Sequence, residues 1–60
     1  MKNKKYIVYE SYMFGKNYYN KALQCVPDYA IIDNKIPVVD YNTMTTLIER
    51  NPYLQVEIAK

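Results

Sequence analysis

Histidine and tryptophan are missing altogether, and the 60 residues include one cysteine and one glycine. Without histidine, Cys25 has no imidazole to activate it and Ser11 has no base, so nucleophilic catalysis of the Cys–His or Ser–His kind is excluded. A single cysteine cannot close a disulfide within the chain, nor, with no histidine beside it, supply the roughly four ligands of a structural zinc. One glycine leaves no material for a glycine-rich phosphate loop. No apolar run approaches the ~18 residues that a membrane-spanning helix requires. These absences point away from an enzyme, a cofactor and a membrane span.

The chain is instead rich in tyrosine, with eight: Tyr6, Tyr9, Tyr12, Tyr18, Tyr19, Tyr29, Tyr41 and Tyr53. Tyrosine joins a large apolar ring to a polar hydroxyl, which suits a surface that is wet alone and covered when a partner arrives. A chain this short buries only about 60% of the surface its unfolded form exposes, so eight rings exceed what one small core can hide. Such a core supplies roughly 3–5 kcal/mol of net stability. With disulfide and metal excluded, self-association or a constitutive partner is the expected supplement, and a homodimer is the favoured form.

Charge is unevenly placed. Lys2, Lys4 and Lys5 lie in the first five residues, whereas from Tyr6 onward five basic residues face six acidic ones. Residues 1–5 therefore read as a basic arm and residues 6–60 as one near-neutral domain. The arm resembles the start of a secretory leader, but Glu10 and three tyrosines follow where an apolar stretch would be needed, so a cytoplasmic location is expected. Lys, Asn, Tyr and Ile make up 27 of the 60 residues. Their codons are A/T-rich, which suggests an AT-rich bacterium or a phage or mobile element within one.

Residues 5–14 are β-branched and aromatic and predict a strand with Tyr6, Val8, Glu10, Tyr12 and Phe14 on one face. Gly15-Lys16-Asn17 supplies turn chemistry. Within residues 18–26, Tyr19, Ala22, Leu23 and Val26 recur at helical spacing between Asn17 and Pro27, which reads as a short helix, with a second strand as the alternative. Asp33-Asn34 separates two short apolar runs, 29–32 and 35–39, as in a tight hairpin whose second arm is marked as an edge by Pro37. Tyr41, Met44, Leu47 and Ile48 share a helical face that ends at Asn51-Pro52, with Asp40, Asn42 and Thr43 as candidate caps. Leu54, Val56 and Ile58 then alternate with Tyr53, Gln55 and Glu57 as a strand with one wet face. The expected fold is α+β, a small sheet with one or two short helices on one side, ordered β-α-β-β-α-β or β-β-β-β-α-β. Cys25, Met13 and Met44 are assigned to the core, as are Tyr29 and Tyr41.

Pro27-Asp28, a hairpin, Asp40-Tyr41-Asn42, a helix and the closing Pro-x-Leu-x-Val-x-Ile strand resemble the core of the PD-(D/E)xK nuclease superfamily over residues 27–58. The resemblance implies Asp28 and Asp40 as metal carboxylates. Asn42 stands where the family has its lysine, so the implied scaffold is a catalytically inactive one.

Two functional expectations result. The first is a non-enzymatic protein-interaction module, in the manner of a phage or mobile-element accessory protein that binds and inhibits a host protein, with Tyr6, Tyr9, Tyr12, Tyr18, Tyr19 and Tyr53 as contact residues. The alternative is a nucleic-acid-binding protein that uses Lys2, Lys4 and Lys5 with the Tyr6, Tyr12 and Phe14 rings, on a nuclease-like scaffold. Its near-neutral body places it second, because phosphate neutralisation supplies most of such affinity.

Overall fold

The computed structural model describes residues 4–59. Its organising element is β1 (Lys5–Tyr12), whose β-branched and aromatic run pairs along both edges. β2 (Gly15–Tyr19) and β3 (Cys25–Pro27) follow as a meander, and β4 (Gln55–Ala59) returns from the far end of the chain to the other side of β1. The sheet order is β3-β2-β1-β4, antiparallel throughout. One helix, α1 (Tyr41–Arg50), packs against the sheet, so the α+β expectation is met.

β2 covers only the C-terminal half of β1, from Tyr9 (opposite Tyr18) to Tyr12 (opposite Gly15). Val39 completes the edge that β2 leaves. Tyr6 N–H donates to Val39 O at 2.8 Å and Val39 N–H donates back to Tyr6 O at 2.8 Å. The backbone of β1 is thereby satisfied at both ends on that side.

Alternation along β1 places Tyr6, Val8, Glu10 and Tyr12 toward α1, and Ile7, Tyr9 and Ser11 on the open face. The core follows from this register. Val8, Val39, Leu47 and Leu54 form the buried cluster, with Tyr6, Tyr19, Leu23, Met44 and Ile48 packed around it. Met44, Leu47 and Ile48 sit at i, i+3 and i+4, one stripe of α1. Asp40, rather than Asn42 or Thr43, caps that helix: its Oδ1 accepts from Thr43 N at 2.8 Å. This bond holds the Asp40 carboxyl below its ordinary value, helped by the nearby Lys5 charge. Asn51 and Pro52 end the helix as expected, with Asn51 Oδ1 accepting from Tyr53 N at 3.1 Å to turn the chain into β4.

The first helix of the β-α-β-β-α-β order does not form. Residues 18–26 belong instead to β2, β3 and the loop between them, nearer to the strand alternative. Asn20 decides this locally. Its Oδ1 accepts from Ala22 N at 3.0 Å and Gln24 N at 2.9 Å, offering the backbone a turn in place of a helix. Leu23 takes a left-handed φ of 63° and keeps its side chain against the core. Nine residues were too few for an apparent 3.6 period to outweigh that turn.

The hairpin expected over residues 29–39 is also replaced. Its turn exists, with Asp33 (φ 59°) and Asn34 (φ 56°) both left-handed, as a primed turn requires. Its arms do not pair. Asp28–Ala30 is a 3-10 turn, and Pro37 removes a donor from the returning arm, which meets the sheet only at Val39. Finally, β1 ends two residues before its expected limit, because Met13 and Phe14 form the turn and Gly15 already begins β2.

Candidate partner-binding surface

The six tyrosines singled out from the sequence are divided between two sheet faces and a loop. Tyr6 and Tyr19 face α1 and are half-buried against the core. The Tyr6 ring meets Tyr41 edge-on at 6.1 Å, and Tyr19 Oη donates to Glu10 Oε2 at 3.5 Å. Tyr9 and Tyr18 lie on the opposite, open face with ring centroids 6.0 Å apart. Tyr12 flanks the β1–β2 turn, and Tyr53, 89% exposed, precedes β4. No single patch contains all six.

Tyr9 illustrates how the open face is held without a second layer. It is only 8% exposed yet lies outside the core cluster. Its neighbours on the sheet cover it: Tyr18 beside it, Lys16 Nζ 4.7 Å above its ring, and Glu57 Oε2, to which its hydroxyl donates at 2.9 Å. That bond to Glu57 is the main reason the Tyr9 hydroxyl titrates above its ordinary 10.0. Burial raises Tyr12 and Tyr19 in the same direction, with Asp28 and Glu10 respectively the next contributors. Raised folded values mean that stability is fully present below the ordinary tyrosine value of 10.0 and is lost as pH climbs through the higher folded values. Thermal unfolding followed across pH 9–12 should therefore show a falling midpoint above about pH 10, and Tyr9→Phe should flatten part of that slope.

Two adjacent large apolar side chains stand almost fully exposed at the β1–β2 turn. Met13 is 88% exposed and Phe14 86%, and Tyr29, in the 3-10 turn, is 83% exposed. Met13, Tyr29 and the exposed Tyr41 thus correct the core assignments made from sequence. Cys25 does the same, since it is exposed on β3 while only Met44 packs inward. Neither Met13 nor Phe14 has a positive φ, so the two-residue turn is not of the primed type that hairpins favour. Its conformation is set from behind. Gly15 has φ 157°, and the Asp28 carboxylate lies directly beneath it, with Oδ2 accepting from Lys16 N at 3.0 Å. Asp28, Tyr29 and Cys25 all lie close enough to Tyr12 for their charges to add to the upward shift that burial gives its hydroxyl.

Sequence reading placed Met13 and Tyr29 in the core, and Phe14 only on a strand face, because bulky β-formers look like strand interior wherever they fall. One signal was present: a ten-residue strand apolar on both faces is longer than the usual five or six.

The two carboxylates of the nuclease resemblance serve local structure here. Asp28 braces the turn and Asp40 caps α1. Among the described residues, no three His, Cys, Asp or Glu side chains gather to hold a metal ion. Of the expected basic arm, Lys2 lies outside the described residues, Lys4 is exposed, and Lys5 is already the first residue of β1. No helix among the described residues is long and apolar enough to cross a membrane. Comparison with known proteins identifies no relative: no family model, no curated protein and no solved structure matches the chain.

Proposed function

We propose that this chain is a small non-enzymatic protein-interaction module whose contact element is the β1–β2 turn, with Tyr12, Met13 and Phe14 as its contact residues and the exposed Tyr29 as a further candidate. One observation carries the reading. Met13 and Phe14 project almost fully into solvent from a two-residue turn, where their side chains serve neither turn chemistry nor the core. Exposed large apolar groups in contiguous sequence are the informative exception on a protein surface. An aromatic anchor on a braced support binds well, because little conformational freedom is lost when it enters a pocket. Such a module acts by occupying a surface of its partner, which suits inhibition better than chemistry.

The test is a comparison of affinity captures from source-cell lysate using wild-type protein and Phe14→Ser. The variant should retain the wild-type melting temperature, since Phe14 leaves the core untouched, while recovery of the partner drops at least tenfold. Equal recovery by both proteins, or capture that collapses with moderate salt and nuclease treatment, would remove the turn from the binding role.

A further inference from the structure

The two edges of the sheet are not equivalent. β3 is three residues long, ends in Pro27 and passes at once into the 3-10 turn, so it offers little to another strand. β4 is five residues long, contains neither proline nor glycine, and pairs with β1 without interruption from Gln55 (opposite Tyr9) to Ala59 (opposite Lys5). Natural edges are normally protected by an outward charge, a bulge or a covering segment. The one charged residue within β4 is Glu57, and its carboxylate is turned onto the open face by the 2.9 Å bond from Tyr9 Oη.

The hydrogen-bonding parity of this edge follows from the Val39 bridge. Tyr6 spends both its N–H and its C=O on Val39, so neither points toward β4. Tyr6 and Ile58 are therefore a non-hydrogen-bonded pair, and the N–H and C=O of Ile58 point to the free edge. By the two-residue period, those of Val56 do too. The same two residues expose apolar side chains, with Ile58 57% exposed. Tyr6 joins Ile58, its cross-strand partner, to the exposed ring of Tyr41 on α1.

We propose that the β4 edge is the seam of a homodimer, in which β4 of a second copy pairs antiparallel about a two-fold axis at Val56 to make one eight-stranded sheet. The side-chain pattern favours a second copy because this register is self-complementary. Val56 faces Val56 of the second copy, Leu54 faces Ile58, and each Glu57 carboxylate faces a Gln55 amide. A seam centred on Glu57 would set two carboxylates directly opposite each other, which is destabilising. The isologous seam also adds apolar burial to a core of four fully packed side chains, the supplement a chain of this size needs. This proposal is independent of the turn-based function, since β4 pairs with residues 5–9 of β1 and leaves the turn uncovered.

Sedimentation over a wide concentration range should show the 7.2 kDa chain associating to twice that mass. Val56→Pro removes an outward-pointing donor while sparing the β1–β4 bonds, and should weaken association at least tenfold. Gln55→Glu places a carboxylate opposite Glu57 and should weaken it several-fold, whereas Gln55→Lys should strengthen it, with each variant's folding confirmed by its melting curve. Hydrogen exchange reports the seam directly: the Val56 and Ile58 amides should gain protection with concentration, while the Gln55 and Glu57 amides stay protected throughout. A monomer at millimolar concentration overturns the proposal, as does a dimer indifferent to Val56→Pro or edge amides protected only when a foreign partner is added. Phe14→Ser should leave the dimer intact, so failure here and failure of the turn-based function are separable.

Discussion

Leu47→Ala should leave a large fraction of the protein unfolded at 25 °C. Leu47 is the one fully buried residue of α1 and belongs to a cluster of only four such side chains. Truncating a buried leucine costs about 2–5 kcal/mol through lost transfer energy and the cavity left behind. A core of this size provides roughly 3–5 kcal/mol in total, so the two quantities are of the same order. Circular dichroism at 25 °C should show substantial loss of the folded signal, and the melting transition should shift far downward or broaden away. Leu47→Met, which conserves volume, should cost less than about 1.5 kcal/mol and keep a cooperative transition. If Leu47→Ala melts like the wild type, the cluster is not the seat of stability.

The second large effect is expected at Gly15. A methyl group at this position would collide with Asp28 Oδ2, and the backbone sits at φ 157°, where residues with a Cβ are strained. The strain alone costs on the order of 1–3 kcal/mol. The collision adds to it, because Asp28 cannot retreat without giving up its bond from Lys16 N. Gly15→Ala should therefore destabilise strongly and also blunt partner binding by loosening the Met13-Phe14 turn. Gly15→Ala combined with Asp28→Ala separates the two causes. Removing the carboxylate relieves the collision but not the backbone strain, so Gly15→Ala should cost less in an Asp28→Ala background than in the wild type, with Asp28→Ala alone reporting the lost Lys16 bond. Chemical denaturation with matched slopes measures both differences.

The elements most legible in the sequence were those with a strong local signature. Alternation over residues 54–58 and the helical stripe Met44, Leu47 and Ile48 both correspond to observed elements, and so does the length of β1 to within two residues. Of the face expected to be buried on the last strand, however, only Leu54 is, with Val56 and Ile58 exposed at the sheet edge. Three features needed tertiary information. Asn20 had to be seen folding back onto Ala22 and Gln24 before the loop displaced a helix, and Val39 had to be seen reaching Tyr6 before a hairpin arm became a bridge. Met13 and Phe14 had to be seen at the turn, since their composition argues for burial and only their place in the chain exposes them. For the surface the lesson is similar. Tyrosine content indicated that apolar area would remain outside, but the pleat distributed the rings over both faces, and Met13 and Phe14, residues of other types, stand as exposed as the most exposed tyrosines.

The narrow attachment of Val8 to the rest of the molecule bears on how the chain reaches its fold. Val8 is the only fully packed core residue that the three-stranded meander contributes, and its companions Val39, Leu47 and Leu54 all come from the other half of the sequence. The meander can zip up through near neighbours, yet its central side chain stays wet until distant segments close over it. Each such closure must be paid in chain entropy before any core contact rewards it. The rate-limiting event should therefore be the docking of α1 and β4 onto a preformed hairpin. A ribosome-bound chain should remain protease-sensitive until residues 55–59 have cleared the exit tunnel.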